Sequence, residues 1–268
     1  MITAIQTDNT TTATPAAYTA SELLTVVSCR LLQGKRRVFA GIGLPTLAVA
    51  LAQKSSSPDI EQVYESGVCG AHPPRLPETI ADASLATGAE AILTMPVLFG
   101  YVLQGGWIDV GFLGAAQIDR FGSLNTSVIG PWEEPIVRLP GSGGAVEVMS
   151  NSHEVFVVLR RHNLTSFVNE LDFCTSPSLR AARLAAPKVP TRGLGVSTVI
   201  TDLGVLKADN TGELCLASVH EGVTVEQVQA ATGWPLKLME HITVTAAPTA
   251  EELRLLREDI DPTRVYLR

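Results

Sequence analysis

Arg37-Val38-Phe39-Ala40-Gly41-Ile42-Gly43-Leu44-Pro45 runs from a short apolar stretch into two glycines and a proline, and residues 46–53 behind it have helical composition. A brief apolar run closed by glycine reads as a buried strand. Proline is tolerated in the first turn of a helix, where its missing N–H would have had no partner. The stretch is therefore strand, glycine turn, helix, the repeating unit of a parallel α/β sheet. The turn leaves two readings open. Its N–H groups can face a phosphate or carboxylate, or its glycines can let helix and strand pack closely. The GxGxxG spacing of a dinucleotide site is absent.

Upstream, Thr19-Ala20-Ser21-Glu22 has the form of a capping box, Leu24, Val27 and Leu31 follow at helical spacing, and Gly34 supplies a stop. Downstream, strands are expected at 61–64, 91–94, 110–113, 155–159, 197–201 and 214–217, with helices at 225–231 and 251–259. Strands alternating with helices predict an α/β fold whose mainly parallel sheet is covered by helices. A chain of 268 residues with 46% hydrophobic side chains supports one large domain, expected over 19–268. Residues 1–18 are rich in Thr and Ala, lack the basic start and apolar block of a signal peptide, and read as a disordered tail.

Charge and spacing exclude several functions. With 27 acidic side chains against 20 Lys and Arg, net charge -7, the surface is not built to neutralise phosphates, so no nucleic acid partner is expected. The nearly uncharged tract 91–107 is broken by Pro96, Gly100, Gln104, Gly105 and Gly106. A span needs about twenty predominantly apolar residues, so no membrane partner is expected and the location is read as cytoplasmic. Cys29, Cys69, Cys174 and Cys215 form no CxxC pair and are expected to be reduced, buried thiols. The five histidines are scattered without a zinc-ligand spacing, so no metal is expected.

Three places can carry chemistry. Val63-Tyr64-Glu65-Ser66-Gly67-Val68-Cys69-Gly70 puts Glu65 just past the expected strand 61–64, on the rim where α/β sheets collect ligands. A solvated surface acid is the plainer reading. Leu139-Pro140-Gly141-Ser142-Gly143-Gly144-Ala145 has three glycines in four positions, which permits consecutive N–H groups to converge as in an oxyanion hole, or simply makes a tight turn. Residues 114–125 hold Gln117 and Asn125, polar side chains for a cleft, or else form a solvated loop with a hairpin at Phe121-Gly122.

GIGLP at 41–45, ESG at 65–67, LGAAQIDRFGSLNTSVIG at 113–130, PGSGGA at 140–145, FVNELDFCTSP at 167–177, VITDLGVLK at 199–207 and LLREDIDP at 255–262 occur in one order along the chain. Together these blocks resemble the β-type subunits of class I CoA-transferases, the glutaconate CoA-transferase branch in particular. The resemblance implies the family's NagB/RpiA-like fold, with Glu65 as a nucleophile that forms a glutamyl-CoA thioester. It also implies that Gly143, Gly144 and Ala145 donate N–H groups to the oxyanion, the two glycines foremost, and that Ser66, Gly67, Gln117 and Asn125 lie near the substrate. It implies no permanently bound cofactor, CoA thioesters and carboxylic acids as substrates, and a homologous α subunit in an αβ or α2β2 assembly. A dicarboxylate such as glutaconate is the implied acid; decarboxylation or ring-opening hydrolysis of a CoA thioester is the alternative on the same fold. Ala115 stands where the family often has a second glycine, and Val68-Cys69-Gly70-Ala71-His72 departs from its pattern.

Overall fold

A computed structural model describes residues 17–79, 81–185 and 192–267, which gather into two compact units, residues 17–112 with 247–267 and residues 113–246. The tail expected over 1–18 lies outside the described residues up to residue 16.

In the first unit, α1 (Ala20–Leu31) opens with the expected capping box. Thr19 Oγ1 accepts the Glu22 N–H at 3.2 Å and Glu22 Oε2 accepts the Thr19 N–H at 2.8 Å. The strands are β1 (Arg37–Phe39), β2 (Glu61–Val63), β3 (Val68–Cys69), β4 (Ala91–Ile92) and β5 (Val110–Leu113). β1 lies between β2 and β5 and is parallel to both, with Phe39 opposite Val63 on one side and Gly111 on the other. β3 and β4 continue the sheet antiparallel beyond β2. α2 (Leu44–Lys54) returns from β1 and packs against α1. Its inner face buries Leu47, Ala48, Val49 and Leu51 completely.

The strand expected at 91–94 stops at Ile92, because Pro96 sits in the first turn of the next helix, α3 (Met95–Val97), which runs on as a π-helical turn, Leu98–Leu103. The C-terminal helix Ala250–Arg254, continued by the π-helical Leu255–Ile260, is held to α1 by ion pairs. Glu252 takes Arg30 at 2.7 Å, and the almost fully buried Glu22 takes Arg257 at 2.6 Å.

The second unit begins with two small hairpins, β6 (Gln117–Ile118) with β7 (Leu124–Asn125) and β8 (Val128–Ile129) with β9 (Val137–Arg138). After α4 (Ala145–Asn151) come β10 (Glu154–Val158), α5 (Leu179–Ala185), β11 (Val196–Ile200), β12 (Gly204–Ala208), β13 (Leu214–Val219), α6 (Val225–Ala230) and β14 (Lys237–Val244). β10 and β11 pair parallel, β12 is inserted antiparallel between β11 and β13, and β14 runs parallel to β13. Met149, Val155, Val157, Phe167, Val199, Leu206, Leu214 and Leu216 fill the core.

The α/β class is as expected, but β12 and β14 were not anticipated. β12 starts at Gly204, where a Cβ would lie 2.3 Å from the Ser218 carbonyl oxygen, so only glycine lets the two strands approach. β14 is an exposed strand marked by Lys237, Glu240 and His241, and its charges hide the apolar alternation. The cysteines correct one expectation: all four are free, yet only Cys29 and Cys215 are buried, Cys69 is half-buried and Cys174 is exposed.

Candidate active site

Glu65 and Ser66 are the middle residues of a tight turn that reverses β2 into β3. The Gly67 N–H donates to the Tyr64 carbonyl at 2.9 Å, and the Tyr64 N–H donates to the Val68 carbonyl at 2.9 Å. Glu65 and Ser66 keep ordinary negative φ, whereas Gly67 has φ 95° and closes the loop as a glycine-bulge hairpin does. Gly67 is buried, and a Cβ there would lie 1.9 Å from the Leu93 carbonyl oxygen. Its place in ESG is thus dictated by the backbone, while Ser66 is exposed. The turn presents the half-buried Glu65 beyond the carboxyl end of the parallel strand β2.

The glycine turn after β1 lies on the same rim. Gly43 caps α2 with φ 102° and ψ -145°, a conformation open only to glycine, and a Cβ at Gly41 or Gly43 would meet nothing within 4 Å. Close helix-strand packing is therefore not what these glycines serve. Cys69, a rival nucleophile by proximity, has its thiol pushed up by burial and by Glu61 and Glu90, against a smaller opposing effect of Arg37. It stays protonated at neutral pH and points its sulfur at the Gly67 carbonyl, 3.6 Å away.

In the other unit, the loop before α4 is stapled at both ends. The Thr126 hydroxyl donates to the Gly141 carbonyl at 2.7 Å, and the Gly141 N–H returns to the Thr126 carbonyl at 2.9 Å. Thr175 fixes Thr126 in turn by accepting its N–H at 3.0 Å. Gly141 and Gly143 have φ 95° and 47°, and Gly144 is the N-cap of α4. The Ala145 N–H is committed to the Ser142 carbonyl at 2.8 Å, so of the three expected oxyanion donors Ala145 is spent on the turn itself. The loop borders a cavity of about 360 Å³ whose wall, including Ala115, Ala116, Leu139, Pro140 and Ala145, contains no charged residue.

Gln117 and Asn125 face each other across the β6–β7 hairpin, Asn125 fully buried. Asn125 Nδ2 donates to Gln117 Oε1 at 2.8 Å and to the Val128 carbonyl at 2.6 Å, while its Oδ1 accepts the Ser127 and Val128 N–H groups. Gln117 Nε2 donates to Asp172 Oδ2 at 3.1 Å, and the Asp172 N–H returns to Gln117 Oε1. These side chains hold the scaffold of the loop, with the capacity of Asn125 exhausted. The hairpin at Phe121-Gly122 exists as expected, but it is anchored in the core by Ile118 and Leu124 rather than solvated. Asp172 and Thr175 were missed as organisers; the block 167–177 contained both without showing their partners. Among the described residues no cluster of His, Cys, Asp and Glu could hold a metal ion, and no helix is long and apolar enough to cross a membrane.

Residues 29–231 match the Coenzyme A transferase family, and the chain belongs to it. It is 44% identical over 243 residues to the B subunit of the 3-oxoadipate CoA-transferase of Pseudomonas knackmussii, covering 90% of this chain and 93% of that one. To the B subunit of the glutaconate CoA-transferase of Acidaminococcus fermentans it is 28% identical over 257 residues, 94% of this chain and 96% of the relative. The crystal structure of that glutaconate enzyme superposes with a TM-score of 0.85, covering 95% of this chain and 99% of the other. The decarboxylase AibA/AibB is also similar, with 25% identity, a TM-score of 0.78 and 92% and 97% coverage.

Proposed function

We propose that this chain is the nucleophile-bearing half of a two-subunit CoA-transferase that moves CoA between an acyl-CoA and a dicarboxylic acid, with 3-oxoadipate ahead of glutaconate as the acid. The observation that carries the reading is Glu65 on a rigid turn at the carboxyl end of a parallel strand. A carboxylate is ionised at neutral pH and needs no base, which suits a site whose expected groups include no histidine.

A Glu65 oxygen attacks the thioester carbonyl, the C–S bond breaks, and CoA leaves as a thiolate from a mixed anhydride. The thiolate then attacks the Glu65 carbonyl and expels the freed acid, leaving CoA as a glutamyl thioester. An incoming carboxylate reverses both steps. Each attack builds charge on a carbonyl oxygen, for which N–H donors are needed. Gly143 and Gly144 are assigned that capacity, Ala145 being engaged. The relatives' names, each one half of a two-subunit enzyme, support an α-type partner, and the exposed Ile92, Met95, Tyr101 and Trp107 are side chains of the kind a partner covers. An αβ or α2β2 assembly in the cytoplasm belongs to the same proposal.

The test uses the full chain co-purified with its α partner, incubated with succinyl-CoA without acceptor. Loading of CoA onto Glu65, seen as a borohydride-reduced peptide, and its loss in Glu65→Ala are expected. Turnover retained by Glu65→Ala refutes covalent transfer and leaves decarboxylation or hydrolysis as the reading.

A further inference from the structure

Directly behind the Glu65 turn lies a buried polar cluster that the chemistry above does not use. Thr46, in the first turn of α2, is 3% exposed, Gln62 on β2 is 4% exposed and Tyr64 is 2% exposed. The Thr46 hydroxyl donates to the Gly41 carbonyl at 2.7 Å, accepts from Gln62 Nε2 at 3.1 Å, and is hydrogen-bonded to the Tyr64 hydroxyl. A hydroxyl has one donor and two acceptor positions, so Thr46 is saturated. Gln62 Nε2 also donates to the Ala40 carbonyl at 3.2 Å. One side chain thus joins the turn after β1, the end of β2 and the first residue of the Glu65 turn.

Tyr64 is the point of leverage. Its N–H and carbonyl are both used inside the hairpin, its ring packs with Val68, Ala71 and Leu85, and its hydroxyl ends on Thr46. Burial, only partly countered by the Thr46 hydrogen bond, pushes the phenol up to about 12, so it remains a neutral donor across the working range. Tyr64 is therefore held at backbone, ring and hydroxyl, and Glu65 is the next residue.

We propose that Thr46 is a positioning residue for the transfer reaction, acting through Tyr64 to fix where the Glu65 carboxylate stands. This deepens the reading of Glu65 as nucleophile and rests on it. A nucleophile must lie within about 3–3.5 Å of its target, and a misplacement of about 1 Å costs on the order of a hundredfold in rate. Thr46→Val keeps the shape and removes the junction, leaving the Tyr64 hydroxyl and the Gly41 carbonyl without it.

The experiment measures kcat, KM and unfolding of the complex formed by the full chain and its α partner, with succinyl-CoA and 3-oxoadipate. Thr46→Val is expected to lower kcat and the rate of Glu65 labelling by about tenfold or more while KM for succinyl-CoA stays within about twofold, and Thr46→Ser is expected to restore both. Ser28→Ala, which removes another fully buried hydroxyl in the same unit, on α1, should keep wild-type kcat. If Thr46→Val does not assemble, Tyr64→Phe removes the same contact from its other end and is judged by the same values. Unchanged kcat, a kcat loss matched by Ser28→Ala, or failure of Thr46→Ser to rescue overturns the positioning role while Glu65 remains the nucleophile. Turnover in Glu65→Ala is a separate result that overturns both.

Discussion

Gly67→Ala tests whether the shape of the Glu65 turn matters as much as the carboxylate it carries. The added Cβ would lie 1.9 Å from the Leu93 carbonyl oxygen, and real Cβ contacts do not fall below 3.0 Å, so the two must part by about 1.1 Å. Neither partner is a flexible side-chain tip. The Leu93 N–H is bonded to the Gly67 carbonyl at 2.9 Å, so the separation must break that bond or tilt the turn. A φ of 95° adds strain for any residue with a Cβ, typically about 1–3 kcal/mol.

A shift near 1 Å two residues from the nucleophile is expected to lower turnover by about a hundredfold. The assay is steady-state transfer by the assembled enzyme, with denaturant unfolding in parallel. Gly212→Ala is the control, because Gly212 has φ 81° but nothing within 4 Å of its Cβ position. It should show the backbone strain without the loss of turnover. A folded Gly67→Ala enzyme that turns over within about threefold of wild type refutes the claim that turn geometry sets the reaction.

Gly144→Val is expected to lower turnover by about a hundredfold with assembly intact, as loss of an oxyanion donor does, and wild-type kinetics in the folded complex would make the loop purely structural. Asn125→Leu strands the Val128 carbonyl and two N–H groups in the interior, so denaturation should show a loss of about 1–3 kcal/mol per stranded group at most. His162 is buried against Phe167, and burial holds its imidazole down to about 4 from 6.5, so the folded protein keeps it neutral. Below pH 6.5 the unfolded chain takes up a proton that the folded chain refuses, and stability should fall from pH 6.5 to about 4 by roughly 3 kcal/mol. Denaturation across this range should show a shallower fall in His162→Gln, and identical slopes would reject His162 as the cause.

The strand, glycine turn and helix around residue 41 were legible because each follows from local rules: a short apolar run, glycines, and a proline confined to the first helical turn. The capping box at Thr19 was legible for the same reason, since both of its hydrogen bonds lie within four residues. β12 was not, because it is a hairpin partner whose place is fixed by Gly204 approaching Ser218, a contact between residues far apart in sequence. The same distinction runs through the site. Glu65 could be placed on the sheet rim from the end of a strand, whereas the commitment of Gln117 to Asp172 spans 55 positions and leaves no local pattern.

Gln117 and Asn125 show what that blindness costs in a functional reading. A polar side chain in a motif looks equally suited to a substrate and to a neighbouring backbone, and only a complete set of hydrogen bonds decides between them. Asn125 has four such bonds in the fully buried hairpin, so a substrate could engage it only by breaking the scaffold. Glu65 differs in kind, standing half-buried at the apex of a turn whose other residues are fixed by backbone bonds, ring packing and a glycine-only φ. Rigid support beneath one partly open carboxylate is the arrangement that lets a modest nucleophile react without a base, because the ordering is already present in the folded chain before the thioester arrives.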